Sequence, residues 1–127
     1  MRLTIDPKSS VPLHAQIAEG IRLAIARGEL APGDQLPTVR QLSVDLKVNS
    51  NTVARVYAEL ERAGVVEAAR GRGTFVRSSV REQGTVRARR LQSLCRSFAV
   101  LCAGEGYSLA EVADAIRALA KNKEGSR

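Results

Sequence analysis

The chain has 127 residues, 44% hydrophobic and 26% charged, with 20 Lys and Arg against 13 Asp and Glu for a net charge of +7. That length fits one domain, or a small domain with an appendage, and chains of this size take roughly two-thirds of their unfolded surface out of water. No run approaches the roughly 18 apolar residues of a membrane span, the opening MRLTIDPKSSVPL lacks the apolar stretch of a secretion signal, and the basic excess favours a polyanionic partner.

Leu3-Thr4-Ile5 reads as a short strand and Asp6 to Ser10 as a loop. Pro12 suits the first turn of a helix, where its missing N–H costs nothing. Leu13, Ile17, Ile21, Ala24 and Ile25 follow at helical spacing, and Gly28 is a natural stop. His14, the only histidine, is expected on the surface of this helix. Pro32-Gly33-Asp34 forms a turn. Thr38-Val-Arg-Gln41 has the spacing of a capping box and opens a short helix through Leu46. Lys47-Val-Asn49 breaks it. Asn49 or Ser50 caps a further helix with Val53, Val56, Tyr57 and Leu60 on its buried face, and Gly64 ends it. Val65 and Val66 start a strand, Arg70 to Gly73 form a tip, and Thr74-Phe-Val76 returns as the second arm of a hairpin.

Arg77 to Gly84 is polar and reads as a linker. A helix is expected from Val86, with Leu91, Leu94, Cys95, Phe98, Leu101 and Cys102 on one stripe, broken by Gly104 and Gly106. Cys95 and Cys102 would lie about 10 Å apart by helical rise alone, too far for a disulfide, so two small buried side chains are expected. One His and two distant Cys make no metal site. Ser108-Leu-Ala-Glu111 is a second capping box, and Leu109, Val112, Ala113, Ile116, Leu119 and Ala120 stripe the last helix. The tail KNKEGSR is expected to fray.

The order helix, helix, three-residue break, helix, hairpin is that of a winged helix-turn-helix. In such a motif the N-terminus of the second helix meets base edges in the major groove. Here that N-terminus is Asn49-Ser50-Asn51-Thr52, with Arg55 one turn on. Asn pairs with adenine, Arg with guanine, and Ser or Thr with a base or a phosphate. The helix end adds free N–H groups and partial positive charge. Arg40 sits near the start of the preceding helix, a poor place for a cation with respect to that helix's own dipole, and a phosphate partner would account for it. In the tip ARGRG, Gly71 and Gly73 allow a sharp turn close to DNA. Arg72 then suits a narrow minor groove and Arg70 a phosphate.

From Val11 to Val76 the chain resembles the GntR family of bacterial transcription regulators. The features that carry the resemblance are Pro12-Leu13 with Gln16-Ile17, the Gly28-x-Leu30-x-Pro-Gly33 turn, Leu36-Pro-Thr-Val-Arg-Gln-Leu42, Asn51-Thr-Val53 and Gly71-x-Gly-Thr-Phe-Val76. The resemblance implies a DNA-binding winged helix over residues 1–77, acting as a homodimer on double-stranded operator DNA. It places DNA contacts on Arg40, Asn49, Ser50, Asn51, Thr52, Gly71, Arg72 and Gly73. Some members carry further arginines where this chain has Ser50 and Ala54, so its base preference should differ. The short segment 78–127 resembles that of the YtrA-type subfamily, whose two C-terminal helices serve dimerisation. That assigns Leu91, Leu94, Cys95, Phe98, Leu101, Cys102, Leu109, Val112, Ile116 and Leu119 to the subunit interface. A small-molecule effector at that interface is compatible with the resemblance, although no effector site is visible in the sequence.

The expected fold is thus mainly α with a small β-hairpin, and the expected activity is that of a cytoplasmic, nucleoid-associated repressor with no cofactor. A single-stranded nucleic-acid platform would need stacking aromatics, and the chain has only Tyr57, Phe75, Phe98 and Tyr107, of which the first three read as core-directed. Enzyme chemistry is not expected. His14 has no triad around it, and the glycines do not form a phosphate loop.

Overall fold

Apolar residues at helical spacing build the first of two units. In the computed structural model, which describes residues 1–78 and 84–125, Ile17, Ile21 and Ala24 form the buried face of α1 (Leu13–Ala26). Leu42 anchors α2 (Val39–Leu46), and Val53, Val56, Tyr57 and Leu60 are buried along α3 (Ser50–Arg62). Leu30, Leu36, Val66 and Val76 close the same core. Each such side chain is worth about 1.5–3 kcal/mol on leaving water, so the periodicity of apolar positions settles which faces meet. The hairpin follows as β1 (Val66–Ala69) and antiparallel β2 (Gly73–Val76), with Val66 opposite Val76 and Ala69 opposite Gly73. The fold is a winged helix-turn-helix followed by two further helices.

Local chemistry sets the element ends. At Thr38 both halves of the capping box form: the Gln41 N–H donates to Thr38 Oγ1 at 3.0 Å, and the Thr38 N–H donates to Gln41 Oε1 at 2.8 Å. The α2–α3 turn is sharp because Lys47 takes left-handed backbone angles, φ 58, the only positive φ at a non-glycine among the described residues. Its N–H and that of Val48 donate to the carbonyls of Val44 and Ser43.

Tyr57 ties α3 to the entry of α2, its hydroxyl donating to the Pro37 carbonyl at 2.7 Å. Burial pushes its pKa from 10.0 up to about 12. A raised folded-state value means the contribution to stability is complete below pH 10 and is lost as pH rises toward 12. Tyr57→Phe is therefore expected to flatten the loss of stability between pH 10 and 12 in denaturant titrations. A loss as steep as the wild type's would assign it to other groups.

Several expectations change. Leu3-Thr4-Ile5 forms no strand. The segment has no strand partner among the described residues, and Gln16 ties down the loop that follows it: its Oε1 accepts the Asp6 N–H at 2.7 Å, and its Nε2 donates to the Asp6 and Val11 carbonyls. Leu3 then packs so closely on α1 that a Cβ at Gly20 would lie 2.7 Å from Leu3 Cδ2. Val65 precedes the hairpin ladder, its N–H closing the end of α3 on the Leu60 carbonyl at 2.9 Å. His14 is half-buried.

The chain divides after Ser78. Arg77 belongs to the first unit, its N–H donating to the Val65 carbonyl at 3.0 Å; residues 79–83 of the expected linker lie outside the described residues. The second unit holds α4 (Gly84–Gly104) and α5 (Leu109–Gly125). α4 starts two residues before Val86. α5 runs into the tail expected to fray, through Ala, Lys and Glu, which favour helix; residues 126–127 lie outside the described residues. The second capping box forms, Ser108 N–H to Glu111 Oε1 at 3.0 Å and Glu111 N–H to Ser108 Oγ at 3.1 Å. The Ser108 backbone N–H and then its side chain hold the Glu111 carboxyl below its usual pKa.

Cys95 is exposed and Cys102 half-buried, against the expectation of two buried thiols. Phe98 is 48% exposed and is not core-directed within the chain. Leu91, Leu94, Leu101, Leu109, Ile116 and Leu119 are exposed too. Two helices share one seam, and there is no further layer in the unit for the rest of each stripe.

Candidate nucleic-acid interface

At the start of α3, Asn49, Ser50 and Asn51 are exposed, Thr52 is half-buried, and Arg55 is exposed one turn on. No acidic residue stands in the first turn, so the positive end of the helix is not neutralised by its own side chains. Asn49 is the cap. Its Oδ1 accepts the Asn51 N–H at 2.7 Å, which engages one of the two lone pairs of that oxygen in the cap. Asn51, two residues further in, has its side chain in solvent.

Arg55, though exposed, is tied to its own helix. Its Nε donates to Glu59 Oε1 at 3.1 Å, which lays the guanidinium along the helix. An exposed pair of this spacing is worth only about 0.3–0.5 kcal/mol, so a stronger anion readily draws the arginine away. Arg40, the second residue of α2, is exposed on an open groove with Pro37, Thr38, Gln41, Val44 and Asp45.

The hairpin tip is built tightly. The Arg72 N–H donates to the Ala69 carbonyl at 2.8 Å, closing a turn over Arg70 and Gly71. Gly71 has φ 77, the positive value that the third position of a type II turn needs. Gly73 has φ 121, and a Cβ there would meet Gln35 Nε2 at 2.5 Å. Arg70, Gly71 and Arg72 are exposed and Gly73 is half-buried. The Arg72 guanidinium lies over the Phe75 ring, 5.9 Å from its centroid.

Sequence reasoning missed what supports this tip. Residues 33–36 run along β2 as a third edge: Gly33 N–H donates to the Val76 carbonyl, Val76 N–H to Asp34, and Leu36 N–H to Thr74, at 2.8–2.9 Å. Gln35 bridges Phe75, and its Nε2 donates to the Arg72 carbonyl at 3.1 Å. On the other strand, the Ala68 N–H donates to Glu61 Oε2 at 3.3 Å, joining the hairpin to α3. The available signal was Leu36, an apolar residue alone between a turn and a capping box. Nothing local marked Gln35.

Among the described residues no His, Cys, Asp or Glu group could hold a metal ion, and no helix is long and apolar enough to cross a membrane.

Residues 13–76 match the family described as bacterial regulatory proteins, gntR family. Over 74 residues the chain is 45% identical to the HTH-type transcriptional repressor YtrA of Bacillus subtilis, a match covering 58% of this chain and 57% of that one. The chain thus spans less than two-thirds of the length of such curated relatives. Among solved structures, YtrA from Sulfolobus acidocaldarius, a GntR-family transcription factor, is 36% identical, with a TM-score of 0.57 over 73% of this chain and 97% of that one. The DNA-binding domain of AraR in complex with operator ORX1 is 30% identical, with a TM-score of 0.53 over 58% and 92%.

Proposed function

The chain belongs to the gntR family of bacterial regulatory proteins, and from that premise we propose that it is a transcriptional repressor that binds a two-fold symmetric operator as a homodimer, in the cytoplasm at the nucleoid. The observation that carries this reading is the exposed, uncompensated N-terminus of α3, with Asn51 free of the cap, in the same unit as a wing whose tip presents Arg70 and Arg72. α3 enters the major groove. Asn51 reads a base, Asn49 orders the helix end, and Ser50, Thr52 and Arg55 reach bases or phosphate. Arg40 and Arg70 meet phosphates, and Arg72 enters the minor groove through a tip that Gly71 and Gly73 allow. The family neighbour solved on an operator supports the DNA assignment, and the relative named a repressor supports the sign of regulation.

The exposed stripes of α4 and α5 supply the subunit interface. Contiguous apolar surface of this kind marks an interaction site, and a two-fold dimer matches paired half-sites about one DNA turn apart. A small-molecule effector at that interface would shift the spacing of the two recognition helices and so release the operator.

Selection of bound duplexes from a random DNA pool at near-physiological salt tests the reading. A two-fold symmetric consensus supports it. Enrichment of no sequence, or of a lone half-site, overturns it. Asn51→Ala is expected to cost roughly 1–3 kcal/mol at one base position and to relax preference there. An unchanged profile would remove Asn51 from the reading set.

A further inference from the structure

Gln35 reaches the wing tip from outside the hairpin, 37 positions away in sequence. Its side-chain amide donates to the carbonyl of Arg72, and its backbone bridges Phe75, the residue whose ring lies beneath the Arg72 guanidinium. One arginine is thus held at both ends, its backbone by an amide and its cation by a ring. A two-stranded ribbon is marginal by itself, and an unrestrained arginine has many rotamers to lose on binding. Gly73 completes the arrangement, since any larger residue there would displace the Gln35 amide.

We propose that Gln35 is a positioning residue for DNA recognition: by fixing the Arg72 carbonyl it presents the wing arginine to the minor groove in one pose, and so sets the preference for A·T-rich flanks. This rests on the reading of Arg72 as the minor-groove contact. The amide itself touches no DNA. It acts through the tip, and removing it should cost selectivity at the flanks and leave contacts in the major groove intact.

The test uses the full chain on duplexes recovered by the wild type from a random pool, rebuilt with A·T or G·C flanks. Gln35→Met keeps the length of the side chain and removes the donor. It is expected to lower the A·T-to-G·C affinity ratio roughly threefold to tenfold, the range of one lost hydrogen bond. Gln35→Lys restores a donor at similar reach and should recover the ratio, whatever its added charge does to affinity. A Gln35→Met protein that keeps the full ratio, while Arg72→Ala abolishes it, overturns the role of Gln35 alone. Equal losses on both flanks would make the amide merely structural and also overturn it. A wild type indifferent to its flanks removes the Arg72 contact, and this proposal with it.

Discussion

A chain ending at Ser78 is expected to be monomeric and to bind a symmetric operator roughly 10²–10⁴-fold more weakly than the full chain, because two linked half-site contacts become separate events. Among the described residues the buried hydrophobic core lies between Ile17 and Val76, so the shortened chain keeps it whole. What it loses is the pair of helices whose apolar stripes stand exposed. Phe98→Glu in the full chain should reproduce much of the effect. Phe98 is 48% exposed within the protomer, so a charge there leaves the chain's own core unchanged and is costly only beneath a partner. Sedimentation checks both variants. A shortened chain that remained dimeric would place the interface in the first unit.

Leu60→Ala is expected to have the largest effect on stability. Leu60 is 1% exposed and closes the core between α3 and the hairpin. Truncating a buried leucine costs about 2–5 kcal/mol, out of a domain total of about 5–15 kcal/mol. Ala is the best helix former, so α3 itself is not weakened and the loss reads the core alone. Thermal unfolding of the shortened chain should show Tm lower by roughly 8 °C or more. A shift of only about 2 °C would mean that the site collapses around the missing atoms and that the core is held elsewhere.

Much of the first unit was legible beforehand because its signals are local. Thr38 and Gln41 make a capping box within one turn, Asn49 caps its own helix, and Val53, Val56, Tyr57 and Leu60 share a face through helical periodicity alone. The errors fell where local pattern has no purchase. Leu3-Thr4-Ile5 alternates like a strand, but a strand needs an edge to pair with, and here Leu3 packs on α1 at Gly20 instead. Cys95, Cys102 and Phe98 lie on an apolar stripe, and a stripe predicts a buried face only when another layer exists to cover it.

The sequence by itself determined the helices, the sharp turn between α2 and α3, the hairpin, and which residue types stand at its tip, since each follows from contacts among residues a few positions apart. Tertiary structure alone decided how those groups are held. It ran residues 33–36 along β2 and tied the Tyr57 hydroxyl to the Pro37 carbonyl. It brought Gln35 beneath the wing across 37 positions. The reason is physical. A side chain's available donors and acceptors depend on which distant atoms the packed core brings within about 3 Å, and that proximity is a property of the assembled core, which no stretch of the chain carries alone.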